Sequence, residues 1–125
     1  FEGTMRWLNT AFIGWPGALE DPTIAGVRDV VRRAGKLAVV TLGSRGVQVI
    51  DGRGTAPVEQ FIPVNAVAVV GTTVGCGDAF IAAFLNSWWR SDQSHGAVEE
   101  AVAAGAVLGA AATAWLRPLP DEAYA

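Results

Sequence analysis

The feature that most restricts the fold is a short, uninterrupted apolar run, Leu37–Leu42, that follows a segment with helical periodicity. A run of this length without polar alternation is typical of a strand covered on both faces. The preceding segment starts at Asp21-Pro22, a helix start signal, and meets Gly35, a natural helix stop. Helix and covered strand together indicate a layered α/β fold.

The residues after this run predict a sheet that continues by short connections. Gly43-Ser44-Arg45-Gly46 predicts a tight turn, and the alternating segment Val47–Asp51 predicts a strand that pairs back on the first. Residues 58–64 and 67–70 predict two further strands. The first twenty residues are rich in aromatics and glycine and give no clear prediction.

The second half of the sequence predicts a glycine-rich loop and two helices. The loop covers residues 72–77, and the apolar helix that follows, residues 78–90, is expected to be buried on several sides, with Trp88-Trp89 at its end as core or subunit contact. Ser94 is expected to cap a second helix, rich in small residues, over about 96–114. Pro118 and Pro120 then prevent further helix.

The amino-acid composition limits the kinds of molecule that the chain is expected to bind. Half of the 125 residues are hydrophobic and 17% are charged, so we expect that the chain covers part of its surface against something else, as in a homodimer, or that it is a piece of a larger fold. The first residue is Phe1 and not Met, which suggests a truncated or processed sequence. A net charge of −3 without a basic cluster argues against nucleic-acid binding, and no apolar stretch is convincing as a membrane span. The single cysteine fits a reducing, cytoplasmic compartment, and one His with one Cys cannot form a structural zinc site.

The glycine loop has the composition of an anion site. Gly75 and Gly77 let the backbone approach a ligand, and the first amides of the following helix carry partial positive charge. Asp78, in that first turn, suits a base that accepts the proton of an attacking hydroxyl. The structural alternative is an ordinary turn with a carboxylate placed favourably at a helix start. Cys76 is a candidate nucleophile on the same grounds, or simply a small loop residue.

The nine residues Thr72-Thr73-Val74-Gly75-Cys76-Gly77-Asp78-Ala79-Phe80 resemble the C-terminal signature of the ribokinase, or PfkB-type, carbohydrate kinases, which commonly reads Asp-Thr-x-Gly-Ala-Gly-Asp-x-Phe. Upstream, Val40–Val47 resembles the family's Thr-Leu-Gly-x-x-Gly segment. The order and spacing agree, and the similarity covers about residues 25–120. The resemblance implies a single partial domain over residues 1–125, the C-terminal portion of a ribokinase-like three-layer α/β/α fold.

The resemblance also implies roles for individual residues. Asp78 would be the catalytic base, and the backbone of Gly75, Cys76 and Gly77 would form the anion hole for the transferring phosphoryl group. ATP, accompanied by Mg²⁺, would be bordered by two groups of residues and by the helix around Ala104, which would face the adenine. Those two groups are Thr41, Gly43 and Gly46 in the first segment and Thr72, Thr73, Gly75 and Gly77 in the second.

Two departures from the family pattern bear on these roles. Thr72 stands where the family often has an Asp that organises a monovalent-cation loop, which argues against activation by potassium. The family's Asn-x-x-Glu segment is not found, and the half that supplies sugar-binding glycines in a family member of about twice this length is absent from the sequence.

Three hypotheses follow. The first is ATP-dependent phosphorylation of a sugar or sugar-like hydroxyl compound. The second is a non-catalytic or degenerate kinase fragment that binds nucleotide at most. The third is a structural or interaction domain, which the high apolar content favours.

Overall fold

The computed structural model describes residues 1–115 and 121–124, which fall into two compact units. Unit 1 is Phe1–Pro63 and unit 2 is Val64–Ala125. The prediction for Pro118 and Pro120 lies outside the described residues.

Unit 1 is a four-stranded mixed sheet with helices. Its elements are helix α1 (Glu2–Met5), strand β1 (Thr10–Gly14), helix α2 (Pro22–Ala34), strand β2 (Leu37–Thr41), a 3₁₀ turn (Gly43–Arg45), strand β3 (Val47–Asp51) and strand β4 (Val58–Ile62). The strand order is β1-β2-β3-β4. β1 runs parallel to β2, with Thr10 opposite Leu37, whereas β2–β3 and β3–β4 are antiparallel.

Helix α2 begins and ends where its local signals predict. The Asp21 carboxylate accepts a hydrogen bond from the Thr23 N–H at 2.8 Å, and Pro22 is the first helical residue. That backbone hydrogen bond lowers the pKa of Asp21 below its usual 3.8. Gly35 adopts the left-handed conformation with φ 63° and donates to the carbonyls of the last turn, as a C-terminal glycine does.

The core of unit 1 lies where α2 packs near the sheet. It gathers apolar side chains from α1, α2, three strands and the residue that follows β2: Met5, Ala11, Ile24, Val31, Ala38, Val40, Leu42 and Ile50. Successive strand residues point to opposite faces, and Val39 and Val40 are both fully buried. The predicted covering of β2 on both faces is therefore confirmed.

Two carboxylates of unit 1, Glu59 and Asp51, are held by hydrogen bonds to charged or polar side chains. The Glu59 carboxylate on β4 accepts from Arg28 Nε at 2.7 and 2.8 Å and from Arg32 at 2.9 Å, both on α2, and from the buried Gln48 amide on β3 at 3.1 Å. At the far end of β3, the buried Asp51 binds the Arg53 guanidinium at 2.7 and 2.9 Å. Each carboxylate thus has a charged partner that compensates for the loss of water.

The strand predictions need three corrections. β1 lies in the segment that gave no clear prediction. β4 ends at Ile62 rather than at residue 64, because Pro63 has no N–H to continue the ladder. The strand predicted over 67–70 is wrong: in the described structure this stretch pairs with no strand, and Val70 is 82% exposed.

Unit 2 is built on two packed helices, α3 (Cys76–Arg90) and α4 (His95–Ala112), followed by a 3₁₀ turn at Asp121–Tyr124. α4 begins after Ser94, whose hydroxyl accepts from the Ala97 N–H as predicted. α3 starts two residues earlier than predicted, because Gly75 takes the cap position with φ 87°.

The burial of α3 differs from its prediction. Its buried residues form one stripe, Ala79, Phe80, Phe84 and Trp88, at roughly one-turn spacing. The rings of Phe80, Phe84 and Trp88 stack successively, with centroids 6.3 and 5.9 Å apart. Trp88 is a core residue, as predicted, but Trp89 is 69% exposed. The expectation of burial on several sides is wrong because the apolar residues outside the stripe, such as Ile81, Leu85 and Trp89, stay partly or fully exposed.

Candidate functional site

The glycine loop of unit 2 is ordered by its own short hydrogen bonds. The Thr72 hydroxyl accepts from the Val74 N–H at 3.0 Å, and the Thr73 carbonyl accepts from the Cys76 N–H at 3.3 Å. Gly75 then takes the left-handed conformation that a side chain would strain, and α3 starts at the next residue. The loop therefore delivers the chain into the helix through one sharp turn at Gly75.

Backbone donors remain available at this helix start. In the part of the chain that the structure describes, the N–H groups of Gly75, Gly77 and Asp78 have no acceptor. Gly77 is exposed, and a Cβ on it would meet nothing within 4 Å. Free N–H groups and the helix dipole together favour an anion at this position.

Asp78 presents an exposed carboxylate in the same first turn. Among the described residues, this carboxylate accepts no hydrogen bond and forms no ion pair. It therefore differs from Asp51, which is committed to Arg53. An uncommitted carboxylate next to free N–H groups can accept a proton close to a bound anion.

The cysteine of the loop is a small, partly buried residue. The Cys76 thiol lies 3.7 Å from the Thr72 carbonyl oxygen, in the geometry of a weak hydrogen bond. This contact is within the loop itself and brings no base to the sulfur.

Helix α4 fixes where α3 begins. A Cβ on Gly109 would lie 3.2 Å from the Cys76 carbonyl oxygen, and one on Gly105 would lie 2.8 Å from the Phe80 ring. The two helices can approach this closely only because these positions carry no side chain. Ala104, the residue expected to face adenine, precedes Gly105 and is partly buried.

The other predicted residues lie together in unit 1, at the end of β2 and in the turn after it. Thr41 is the last residue of β2, and its carbonyl accepts from the Trp15 N–H at 2.9 Å. Gly43 and Gly46 begin and follow the 3₁₀ turn with φ 62° and 129°. A Cβ on Gly46 would lie 2.7 Å from the Ile62 carbonyl oxygen, so both conformation and space require glycine there.

A comparison with known protein families shows the family to which the chain belongs. The family described as pfkB family carbohydrate kinase matches residues 13–114. The chain belongs to the PfkB family of carbohydrate kinases. The match spans both the Thr41–Gly46 segment and the glycine loop. Among curated proteins, none matches the chain.

Solved structures of several kinases share the fold of this chain. A double mutant of Vibrio cholerae O395 fructokinase with fructose, ADP and potassium ion bound has a TM-score of 0.75 at 22% identity. Adenosine kinase from Sinorhizobium meliloti gives 0.74 at 25%, and aminoimidazole riboside kinase from Salmonella enterica gives 0.71 at 23%. The alignments cover 94%, 96% and 97% of this chain but only 39%, 36% and 42% of those chains. The fold is therefore α/β and ribokinase-like, over about two fifths of the length of these kinases.

The structure brings the predicted residues of this PfkB-family chain into two groups, one in each unit. Thr72, Thr73, Gly75, Cys76, Gly77 and Asp78 form the loop and helix start of unit 2, and Thr41, Gly43 and Gly46 form the strand end and turn of unit 1. Within the described residues, no group of three or more His, Cys, Asp and Glu side chains could hold a metal ion. None of the described helices is both long and apolar enough to cross a membrane.

Three residues that are not among the predicted site residues also shape these groups. Gly105 and Gly109 position α3, and the signal available was the small-residue content of α4, which indicates close packing without saying which residues touch. Arg45 was assigned only to a turn, but its guanidinium binds backbone 29 and 30 residues away. No local pattern indicates a contact over that distance.

Proposed function

We propose that the chain is the ATP-binding and catalytic part of a kinase that phosphorylates a hydroxyl group of a sugar or sugar-like compound. Its membership of a carbohydrate kinase family supports the reaction class. The observation that carries the proposal is the start of α3, where free backbone N–H groups and the uncommitted Asp78 carboxylate lie side by side. We also propose that residues 1–125 form one partial domain of the larger fold that these kinases share.

In this proposal Asp78 is the catalytic base. Its carboxylate accepts the proton of the substrate hydroxyl as that oxygen bonds to the γ-phosphorus, and the bond from phosphorus to the bridging oxygen breaks to release ADP. General base catalysis of this kind typically contributes about 10²–10⁴ in rate. An exposed carboxylate without a hydrogen-bonding partner is free to take this role.

The N–H groups of Gly75, Gly77 and Asp78 act as the anion hole, with Cys76 supplying backbone between them. Phosphoryl transfer depends mainly on positioning and on donors aimed at the phosphate oxygens. Because the loop is closed by its own hydrogen bonds, the donors need little reorganisation when the phosphate arrives.

The remaining predicted residues are assigned to nucleotide binding. Thr41, Gly43 and Gly46 border the ATP, Thr72 and Thr73 lie near its phosphates, and Ala104 lies on the helix that faces the adenine. Mg²⁺ accompanying ATP would neutralise charge on the phosphates. The donors of the glycine loop are N–H groups, which suit the phosphate oxygens, so we assign no protein ligand to the metal ion.

The test compares Asp78→Asn with Glu100→Gln, which removes the same charge from an exposed position on α4. In the protein that carries this chain, with ATP, Mg²⁺ and a panel of sugars, we expect Asp78→Asn to lower turnover by about 10³-fold. ATP affinity, measured by calorimetry, should change by less than about twofold, and Glu100→Gln should change neither quantity. Undiminished turnover by Asp78→Asn would refute the assignment.

A second function, nucleotide binding without turnover, is favoured by one observation: the chain spans about two fifths of the length of the kinases it resembles. Calorimetry with ATP and the sugar panel on this chain alone separates the two. Binding of ATP without ADP production supports the second function for the isolated chain. ADP production that depends on a sugar refutes it, and absence of ATP affinity refutes both.

A further inference from the structure

Arg45 joins two separate stretches of backbone in unit 1. Its terminal nitrogen Nη2 donates to the carbonyls of Trp15 at 3.2 Å and Pro16 at 3.0 Å, and its Nε donates to the carbonyl of Leu42 at 3.3 Å. We call these three contacts the Arg45 clamp. The clamp connects the loop that follows β1 with the turn that follows β2.

The loop after β1 gives the clamp a fixed partner. The Trp15 ring packs against the core of unit 1, and its indole N–H donates to the Ala18 carbonyl at 3.0 Å. The Trp15 backbone N–H donates to the Thr41 carbonyl at the end of β2. Because Trp15 is attached to both core and sheet, a side chain that binds its carbonyl is held in a defined place.

The turn after β2 is closed by one short hydrogen bond, from the Leu42 N–H to the Gly46 carbonyl at 2.9 Å. Gly43 and Gly46 both have positive φ, and glycines lose more conformational freedom than other residues when they are ordered. The other two backbone hydrogen bonds of the turn, from the Gly46 N–H to Gly43 and from the Arg45 N–H to Leu42, are both long, at 3.4 Å. The Arg45 side chain adds the contacts that tie this closed turn to the loop after β1.

The charge of Arg45 is also not cancelled by a partner. All three acceptors are neutral carbonyls, and in the described residues the guanidinium forms no ion pair. Arg53, in the next turn of the same unit, differs because it binds the Asp51 carboxylate. The turn after β2 thus keeps a positive charge at the carboxyl end of two parallel strands, the edge at which α/β sheets commonly bind ligands.

We propose that Arg45 is a positioning residue for the nucleotide. It holds the Gly43–Gly46 turn in one conformation by tying it to Trp15 and Pro16, and it leaves positive charge beside that turn for a polyphosphate. The inference rests on the proposed function, in which Gly43 and Gly46 border the ATP. It adds a residue that acts through them.

The test uses Arg45→Met and Arg45→Lys on this chain, with Arg33→Met as a control that removes an exposed arginine from α2. Hydrogen exchange followed by NMR without ligand reports the clamp directly. We expect the Trp15 and Gly46 amides to exchange about tenfold faster in Arg45→Met, as expected from losing a charge-assisted hydrogen bond. Amides of the central strands, such as those of Val39 and Ile50, should keep their rates because unit 1 remains folded.

Lysine separates geometry from charge. A lysine keeps the charge but cannot present a guanidinium fork to acceptors on two stretches, so exchange in Arg45→Lys should resemble that in Arg45→Met. Calorimetry with ATP and Mg²⁺ should show binding about tenfold weaker in Arg45→Met and a smaller loss in Arg45→Lys. Arg33→Met should match the parent in both measurements.

Three outcomes would overturn the inference: unchanged exchange in Arg45→Met, parent-like exchange in Arg45→Lys, or equal acceleration of the Val39 and Ile50 amides, which would mean general destabilisation. Failure of the parent chain to bind ATP would instead overturn the proposed function and the nucleotide role of Arg45 with it. The exchange rates would then still decide whether the clamp orders the turn.

Discussion

Each unit carries one group of predicted site residues, and the contacts that hold its helices and strands together, here called its framework, differ between the two units. In unit 1 a hydrogen-bonded sheet is joined to its helix by charged side chains, with Glu59 accepting from Arg28 and Arg32 across about thirty residues of sequence. In unit 2 two helices pack through the bare backbone of Gly105 and Gly109. Polar side chains there bond over short distances in sequence, as Thr72 does to Val74.

This difference predicts different sensitivities. A framework joined by charged groups should respond to loss of a carboxylate, because the partners left behind stay partly desolvated. A framework joined by close steric fit should respond to added volume, because dense packing leaves few ways to accommodate a methyl group. The site residues differ in a related way: the turn of unit 1 needs glycine at Gly46 and is also bound by the Arg45 side chain, whereas the helix start of unit 2 depends on glycines.

The largest effect is expected from adding a methyl group at the helix contact of unit 2. A Cβ at Gly105 would lie 2.8 Å from the Phe80 ring and 2.9 Å from its carbonyl oxygen. We expect Gly105→Ala to lower the free energy of unfolding by about 2–3 kcal/mol despite the better helix propensity of alanine. Urea denaturation followed by circular dichroism measures it.

Gly109→Ala is a milder form of the same substitution and should cost less stability. Its nearest contact, the Cys76 carbonyl oxygen at 3.2 Å, is less close, so the loss should be about 1 kcal/mol or less. If Gly105→Ala were as stable as the parent chain, the steric account of unit 2 would be wrong.

In unit 1 the corresponding change is Glu59→Gln. The amide keeps the shape but loses the charge that faces Arg28 and Arg32, and the Glu59 side chain is only 22% exposed. We expect the free energy of unfolding to fall by about 2 kcal/mol. The matched control is Glu2→Gln, which removes the Arg33 ion pair from a side chain that is 73% exposed and should cost about 0.5 kcal/mol or less. Equal effects of the two substitutions would show that the Glu59 contacts are no stronger than a surface pair.

The sequence predicts best where the determining signal is local. Asp21, Pro22 and Gly35 define α2 because capping and left-handed φ depend on single residues. The glycine loop was located for the same reason. β1 was missed and the strand over 67–70 was wrong because a strand requires a partner: β1 has β2 beside it, whereas residues 67–70 have β propensity without a paired strand in the described structure.

The distinction between local and long-range signals also applies within the candidate site. Asp78 and the residues around it were predictable, since sequence order alone puts them together at a helix start. The Arg45 clamp was not, because its acceptors lie 29 and 30 residues away and are backbone carbonyls, which have no residue signature.

A third prediction tests whether local carboxylate-to-backbone hydrogen bonds next to helix starts, from the cap Asp21 in unit 1 and from Asp92 before the cap Ser94 in unit 2, also differ between the units. The pKa of Asp21 in unit 1 is lowered by the Thr23 N–H, and that of Asp92 in unit 2 is lowered by the Ser94 N–H. A lowered carboxyl pKa stabilises the fold above the unfolded value, near 3.8, and that stabilisation is lost as pH falls through the folded value. Asp21→Ala should therefore be less stable than the parent at pH 7, with a difference that narrows at about pH 3.

Asparagine is the control, because it caps a helix without titrating. The difference between Asp21→Asn and Asp21→Ala should stay constant over the same pH range, and Asp92→Ala should narrow against the parent as Asp21→Ala does. A constant difference between the parent and Asp21→Ala would contradict the lowered pKa. If Asp21→Ala and Asp92→Ala show the same pH dependence, the two units differ only in their long-range contacts.

The smallest effect, and one of opposite sign, is expected where a helical glycine faces open space. A Cβ at Gly26 of α2 would meet nothing within 4 Å, and one at Gly96 of α4 would meet only the Ser94 hydroxyl oxygen at 3.8 Å. We expect Gly26→Ala to raise the free energy of unfolding by about 0.5–1 kcal/mol, and Gly96→Ala by less because it lies in the first helical turn. Both gains arise from the backbone freedom of the unfolded chain, so they should not depend on which framework holds the helix. A loss of stability in Gly96→Ala, measured by the same urea denaturation, would mean that close packing in unit 2 extends beyond Gly105 and Gly109 to the start of α4.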